Sequence, residues 1–394
     1  MFNPLPAVLI GGPPHAGKSV LTYSLTQALR KRHIDHYVIR ACPNGEGDWS
    51  QEIDHEAVRL IRIKGKWRPE FVRSVCYALE HRHFPLLVDM GGRPEELQMD
   101  ILANCTHSLL LLRPDDEASS RFWQYLVEKN ALLPLARVTS LQHGLSTITT
   151  RGPVIEGTLV GLNRHSLAQG PLFDALVERI DTLFTSYSSE ELRQRYFTMA
   201  AAPVVDLDAL LHQHAPQSER WEPHMLPALL AELPRATALA FYGRGTNWLY
   251  GAMVEHTGSH AFYQFDPRLG WVTPPQLLLG SAPPTQALSI EVTQYADMTL
   301  LAVRLLDDYL DYAEGDGLIF PLLPREGGVV LSGKLPHWLV TALVHLYSTS
   351  AGVSWVACNS PQLQQAVVVA SRVETHAPGD VIALHLFGEA IEGV

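Results

Sequence analysis

The sequence predicts an α/β protein: a doubly wound parallel sheet at the amino terminus, followed by two small α+β units that form a pseudo-dimer. Three observations lead there. An apolar run, Ala7 to Gly11 (AVLIG), flows into a glycine-rich loop and then into residues at helical spacing. Behind it, short apolar runs alternate with helical stretches as far as Phe184. Farther on, a strand–turn–helix–strand pattern occurs twice.

The 394 residues exceed one ordinary core and suit several domains. A 46% hydrophobic and 18% charged composition is that of folded globular protein. A formal charge of −11 disfavours a broad grip on long duplex DNA, which needs many unopposed cations. It does not disfavour a small phosphate ligand held by a few local donors. No apolar run approaches the roughly 20 residues that span a bilayer, and the start lacks a basic signal-peptide region. The four cysteines form no CxxC pair, so neither a zinc site nor a disulfide framework is expected. The expected location is cytoplasmic, with no membrane contact.

The first strand, Ala7 to Gly11, runs into Gly12-Pro13-Pro14-His15-Ala16-Gly17-Lys18-Ser19, which fits G-x-x-x-x-G-K-[ST] without mismatch. Leu21, Leu25, Ala28 and Leu29 then recur at helical spacing. This strand–loop–helix context is the one a phosphate-binding P-loop requires. The loop of Gly12, Pro13, Ala16 and Gly17 surrounds a β-phosphate with the N–H groups of its non-proline residues, Lys18 reaches the β- and γ-phosphates, and Ser19 holds magnesium. The expected ligand is ATP or GTP with Mg2+.

His36 to Ala41 reads as a second strand, Phe71 to His81 as a helix, and Phe84 to Asp89 as a third strand. Asp89 closes its apolar run where an aspartate meets magnesium, through water; the alternative is a helix cap. Asp89-Met90-Gly91-Gly92 also resembles the D-x-x-G of the P-loop branch that includes MinD-like ATPases, dethiobiotin synthetases and G proteins. In that branch the glycine senses the γ-phosphate. Ser108 to Leu112 and Val154 to Leu162 supply further strands, with Asn163-Arg164 at a strand end suited to reading a base. No arginine finger is visible, so hydrolysis, phosphoryl transfer and nucleotide-gated switching all stay open.

The first domain is expected over residues 1–185, closed by a helix from Leu172 to Phe184, with a polar linker and short helices over 186–222. Two units follow, over 223–285 and 286–394. Setting Gly243 on Gly333 aligns Trp248 with Trp338, Leu249 with Leu339, Ala252 with Ala342 and Val254 with Val344, without a gap. Such a duplication builds within one chain what a homodimer builds from two.

These segments resemble the CRISPR-associated Csx-type ring nucleases, a family of manganese-dependent deadenylases that cleave cyclic tetra-adenylate. The second copy offers Ser332-Gly333-Lys334-Leu335-Pro336-His337-Trp338, His345, Val367 to Ser371 and Gly379-Asp380-Val381-Ile382. The first offers Gly243-Arg244-Gly245 with Trp248, then Phe265-Asp266-Pro267-Arg268-Leu269-Gly270. Departures are definite. Glu255 stands where the family helix carries histidine, with His256 one position on; the second copy has Asn359-Ser360-Pro361-Gln362 where D-P-R belongs; Arg372 follows Ser371 in place of a histidine. Neither copy carries the full set, and the two are complementary.

The resemblance implies two ring-nuclease-like units and homo-oligomers that sandwich cyclic tetra-adenylate. Gly243, Arg244, Gly245, Gly333, Lys334 and Pro336 then bind the substrate phosphates; Asp266, Arg268, His345 and His256 are the catalytic candidates; Asp266 and His345 are candidate Mn2+ ligands. A metal-free route through the ribose 2′-OH is the alternative. The leading expectation is a ring phosphodiesterase under nucleotide control. A cyclic-oligoadenylate sensor without cleavage, and a P-loop kinase acting on nucleotide or RNA ends, are the other two readings.

Overall fold

The structure is a computed structural model, and it describes residues 4–42, 69–91, 94, 96–163, 166–218, 220–281, 287–306 and 310–383. These divide into two compact units, one of residues up to Tyr196 together with Pro267–Leu269, the other of Phe197–Asp266 and the residues from Gly270 onward. No helix among the described residues is long and apolar enough to cross a membrane.

In the first unit the chain order is β1 (Ala7–Gly11), α1 (Lys18–Lys31), β2 (Tyr37–Arg40), α2 (Pro69–Glu80), β3 (Leu86–Asp89), α3 (Met99–Ala103), β4 (His107–Leu112), α4 (Glu117–Lys129), β5 (Leu133–Leu141), β6 (Thr147–Arg151), β7 (Ile155–Val160) and α5 (Pro171–Phe184). The seven strands lie in the order β2-β3-β1-β4-β5-β7-β6. All neighbours run parallel except the edge strand β6, which pairs antiparallel with β7. β1 is buried along its whole length because helices cover both faces. Val8 and Ile10 pack with Leu21, Leu25 and Leu172, whereas Ala7 and Leu9 pack with Val72, Leu79 and Trp123. This is the doubly wound parallel sheet the alternating runs predict.

α6 (Ser189–Met199) follows, and the second unit then holds β8 (Val204–Asp206), α7 (Leu207–His214), α8 (Leu226–Glu232), β9 (Leu239–Tyr242), α9 (Asn247–Thr257), β10 (Phe262–Asp266), β11 (Gly270–Val272), β12 (Leu278–Leu279), β13 (Leu288–Gln294), β14 (Met298–Leu305), β15 (Ile319–Phe320), β16 (Gly328–Ser332), α10 (His337–His345), β17 (Trp355–Ser360), β18 (Gln365–Ser371) and β19 (Val381–Ala383). One sheet has the order β11-β10-β9-β8 and another β13-β14-β16-β17-β18-β19; β12 and β15 form a short parallel pair. The two larger sheets of this unit share a strand topology. Three parallel strands (β8, β9, β10; β14, β16, β17) end in an antiparallel return (β11; β18). The stretch expected as linker thus contributes β8, an edge strand too short to show a period, and α7, capped by Asp206 accepting from the amides of Asp208 and Ala209.

α9 and α10 follow β9 and β16, and they pack on each other and on the opposite copy's sheet. A Cβ at Gly251 of α9 would lie 3.1 Å from Val344 of α10 and 3.5 Å from the Cys358 sulfur of β17. The equivalent of Gly251 is Thr341, whose hydroxyl donates to Gln264 of β10 at 3.1 Å. Gln264 is the register equivalent of Cys358, since Gln264 pairs with Phe241 and Cys358 with Leu331. Contact i to j in one direction is therefore repeated in the other, as in an isologous interface. Glu255 and His345, a third aligned pair, meet each other with Nδ1 3.7 Å from Oε1. Trp248 and Trp338 are core residues, 2% and 0% exposed.

Candidate functional site

The loop after β1 demands its glycines. Gly12 has φ 144°, and a Cβ there would sit 2.1 Å from the Leu111 carbonyl oxygen. Gly17 caps α1 with φ 85°, and a Cβ would sit 2.5 Å from Leu162. Gly12 therefore lets the loop pass close to the β4 backbone and Gly17 lets it pass close to the Leu162 side chain, which leaves the start of α1 facing the hollow of the loop, where helix geometry supplies unpaired amides. Arg113, at the end of β4, donates to the Pro14 carbonyl at 3.1 Å and fixes the loop's outer side.

Lys18 is 7% exposed, and its amine folds back to donate to the carbonyls of Gly12 (2.9 Å) and Pro13 (2.7 Å). Burial pulls its pKa down, and nearby Asp89 and Cys42 oppose the shift. Ser19 donates to Asp89 Oδ2 at 2.9 Å. The contact follows from sheet order, since β3 lies beside β1 and Asp89 stands level with Ile10. Asp89 is 1% exposed, and its Oδ1 is buried without a hydrogen-bond partner. A buried carboxylate oxygen left unpaired beside a serine hydroxyl, a buried lysine and a helix start is the donor set of magnesium with a nucleoside triphosphate, so these residues fit that group. Ser19 would hold the metal directly and Asp89 through water.

Arg40, at the end of β2, puts Nη1 2.5 Å from Asp89 Oδ2. Sequence reasoning missed it, because nothing in the loop motif points to a residue on another strand; a cation closing a strand beside Asp89 was the available signal. Burial pushes the Cys42 thiol up to about 11, with Asp89 adding to the shift. A Cβ at Gly91 would meet the Cys42 sulfur at 2.7 Å. Gly92 and Arg164 lie outside the described residues, and Asn163 is exposed after β7.

In the second unit, the glycine-basic turns sit alike at the ends of β9 and β16. Gly243 has φ 119° and Gly333 φ 145°, and Arg244 and Lys334 are both exposed. A Cβ at Gly333 would lie 2.0 Å from the Val303 carbonyl. In the first turn Asp208 accepts from the Arg244 amide at 3.0 Å, and a Cβ at Gly245 would press on Tyr250 at 2.8 Å. Thr246 and Pro336 are the respective N-caps of α9 and α10. Tyr250 donates to the Gly243 carbonyl at 2.8 Å; burial, then Asp208 and Asp266, push its phenol up.

Asp266 is buried at the end of β10, and Arg268 lies in the turn to β11. Because α9 and α10 run back against their strands, Asp266 belongs to the end where the helices start, with Arg244 and Lys334. Glu255 and His345 belong to the end where they finish. Nine residues separate Thr246 from Glu255, about 13 Å along a helix. His345 is 43% exposed in its side chain, and the carboxylate that faces its Nδ1 is that of Glu255, not Asp266. Ser348 donates to Glu255 at 2.6 Å, and Arg372 donates to the Ser348 carbonyl. His256 Nε2 is taken up by the carbonyls of Leu233 (3.2 Å) and Pro234 (3.0 Å). Asp266 and His345 are thus not brought together within one chain. Among the described residues no group of three or more His, Cys, Asp or Glu could hold a metal ion. The single-chain ligand set does not fit manganese.

No curated protein matches the chain. Among solved structures, chloroplast FtsY from Physcomitrella patens is similar at 15% identity and a TM-score of 0.27, over 46% of this chain and 66% of that one. The signal recognition particle receptor FtsY from Elizabethkingia anophelis in complex with GDP is similar at 14% and 0.27, over 47% and 64%. This chain therefore spans just under two thirds of the length of either, and likenesses this loose carry no argument about it. Residues 303–383, from the end of β14 through the second turn, α10 and β17 to β19, match the family model described as CRISPR-associated protein (Cas_csx3).

Proposed function

We propose that the first unit binds a magnesium nucleoside triphosphate, ATP or GTP, and that the second binds and opens a cyclic tetra-adenylate ring. The reading of the first unit rests on the Ser19–Asp89 contact, with its unpaired carboxylate oxygen beside a buried lysine. Bound magnesium neutralises charge on the phosphates. Lys18 must leave the carbonyls of Gly12 and Pro13 for the nucleotide, and those carbonyls then turn away from the loop's interior.

The observation that carries the reading of the second unit is the reciprocal packing of two like βαβ copies, one of which matches the family model. A four-phosphate ring suits a pair of turns whose cations and helix starts adjoin; Tyr250 and His337, one from each helix start, lie 4.8 Å apart between ring centres. With Asp266 and His345 at opposite ends, a composite site forms between stacked copies, the helix-start end of one against the helix-finish end of the next. In that site Arg244 and Lys334 hold ring phosphates, and His345, oriented by Glu255, takes the proton of the ribose 2′-OH. The 2′-oxygen bonds to the adjacent phosphorus and closes a 2′,3′-cyclic phosphate, the bond to the 5′-oxygen breaks and that oxygen takes a proton from water, and Arg268 offsets the developing charge. The same separation supports a second reading, in which a single copy binds the ring without cutting it.

Purified protein is incubated with labelled cyclic tetra-adenylate, with and without ATP, GTP and Mn2+. Linear product ending in a 2′,3′-cyclic phosphate supports ring opening. Tight binding with no product supports the second reading, and no binding removes both.

A further inference from the structure

β2 delivers a cation that the loop motif does not contain. Arg40 is the last residue of β2 and pairs in register with Asp89, the last residue of β3. Its guanidinium lies 2.5 Å from Asp89 Oδ2, the same oxygen that accepts the Ser19 hydroxyl at 2.9 Å. The Arg40 side chain is 16% exposed and that of Asp89 2%, so the pair is shielded from water. Oδ1 is left as the carboxylate's one acceptor without a partner. Lys18 does not take this role: its amine donates to the carbonyls of Gly12 and Pro13, and on the nucleotide reading it leaves them for the phosphates.

A guanidinium holds its donors in a rigid plane and keeps its charge, so Nη1 gives Oδ2 a directed, charge-assisted tie as well as countering the carboxylate's charge. We propose that Arg40 is the positioning residue of the magnesium site: it holds Asp89 by Oδ2 and so reserves Oδ1 for the metal's water shell. Its importance grows when ligand binds. Once Ser19 gives its hydroxyl to the metal, the Arg40 contact is what remains of this pair of ties on Oδ2. Buried groups that orient a metal-binding carboxylate govern metal affinity, commonly by 10- to 100-fold. The inference rests on the nucleotide reading of the loop.

The test uses the full chain and a fluorescent ADP analogue, titrated in EDTA and across a range of Mg2+ concentrations. Arg40→Met should raise the Mg2+ concentration that half-saturates the magnesium-dependent gain in affinity by about tenfold or more. Affinity in EDTA should stay within about threefold of wild type, because Arg40 acts through Asp89 rather than on the phosphates. Arg40→Lys should fall between the two, since an ammonium restores the charge but not the rigid, longer-reaching donor. Lys18→Ala separates the loop reading from the proposal, because it should weaken binding in EDTA as well. A wild-type Mg2+ requirement in folded Arg40→Met overturns the proposal, and so does an equal loss with and without Mg2+. Wild-type protein that binds no nucleotide overturns the loop reading and the proposal together. If Arg40→Met does not fold, Arg40→Lys decides alone: an unchanged Mg2+ requirement overturns the proposal, and a raised one supports it.

Discussion

Lys18 shows how much of a site one side chain can carry. It makes two hydrogen bonds to loop carbonyls, and on the proposed nucleotide reading it exchanges them for phosphate oxygens. Charge-assisted bonds of this kind are worth about 1.5–3 kcal/mol each. Lys18→Ala should therefore weaken nucleotide binding on the order of 100-fold, read by equilibrium titration. Asp89→Ala should spare metal-free binding and lose the response to magnesium. Equal magnesium responses in the variant and the wild type would reduce Asp89 to a structural carboxylate. The cysteines give a second prediction at this scale. Burial pushes the thiols of Cys105 and Cys358 up to about 12 from 9.0, so the native protein keeps both protonated at neutral pH. Alkylation at pH 8 should spare them until the protein unfolds. A thiol whose pKa rises on folding stabilises the fold fully below pH 9 and loses that contribution as pH climbs toward 12. Stability measured over that window should fall, and less steeply in Cys358→Ala. The loop glycines, Lys18, Ser19 and Asp89 were legible in the sequence because the motif is contiguous and Asp89 visibly closes an apolar run. Arg40 was not, because its contact with Asp89 exists only once β2 and β3 lie side by side.

At the scale of elements, legibility followed burial. β1, β3 and β4 are buried on both faces and read as continuous apolar runs, whereas β6 (TITTR) is an exposed antiparallel edge with no such run. β5 carries Arg137, Thr139 and Ser140 among its apolar residues, and this hid it. The helix pair of the second unit was legible by alignment, and the packing explains why the aligned positions differ in size. Gly251 and Thr341 are equivalent, but Gly251 faces Val344 and Cys358 while Thr341 has a polar partner in Gln264. Gly251→Ala should change stability by less than about 1 kcal/mol, as a tight 3.1 Å contact with one valine methyl offsets the helix-propensity gain. Gly251→Leu should cost about 1–3 kcal/mol through overpacking. Denaturant titration of the second unit's tryptophan fluorescence measures both. A leucine tolerated without loss would mean that the two helices do not pack as described.

At the scale of the whole molecule, the proposed ring opening raises the question of where its site is completed. The aligned copies suggested a composite of Asp266 and His345, but the sequence could not say which ends of the helices adjoin. The structure sets Glu255 against His345 at the helix-finish end and leaves Asp266 at the helix-start end, so one chain cannot close the site upon itself. Asp266→Ala and His345→Ala should each abolish ring opening, and the double variant should be no worse than either, since groups acting as a unit are not additive. Each single variant keeps one intact end. In a head-to-tail stack the His345→Ala chain still offers Asp266, and the Asp266→Ala chain still offers His345, so one kind of junction between them is complete. With random mixing, a head-to-tail interface is of this kind about one time in four, and the mixture should recover about a quarter of wild-type ring opening. Adding the double variant to either single variant should recover nothing, because no junction then holds both groups. The assay is product formation from labelled ring at equal total chain concentration, with subunit exchange verified by a fluorescence-transfer pair. Recovery near zero despite exchange would place the site within one chain, and full activity of His345→Ala alone would leave the helix-finish end with assembly as its role.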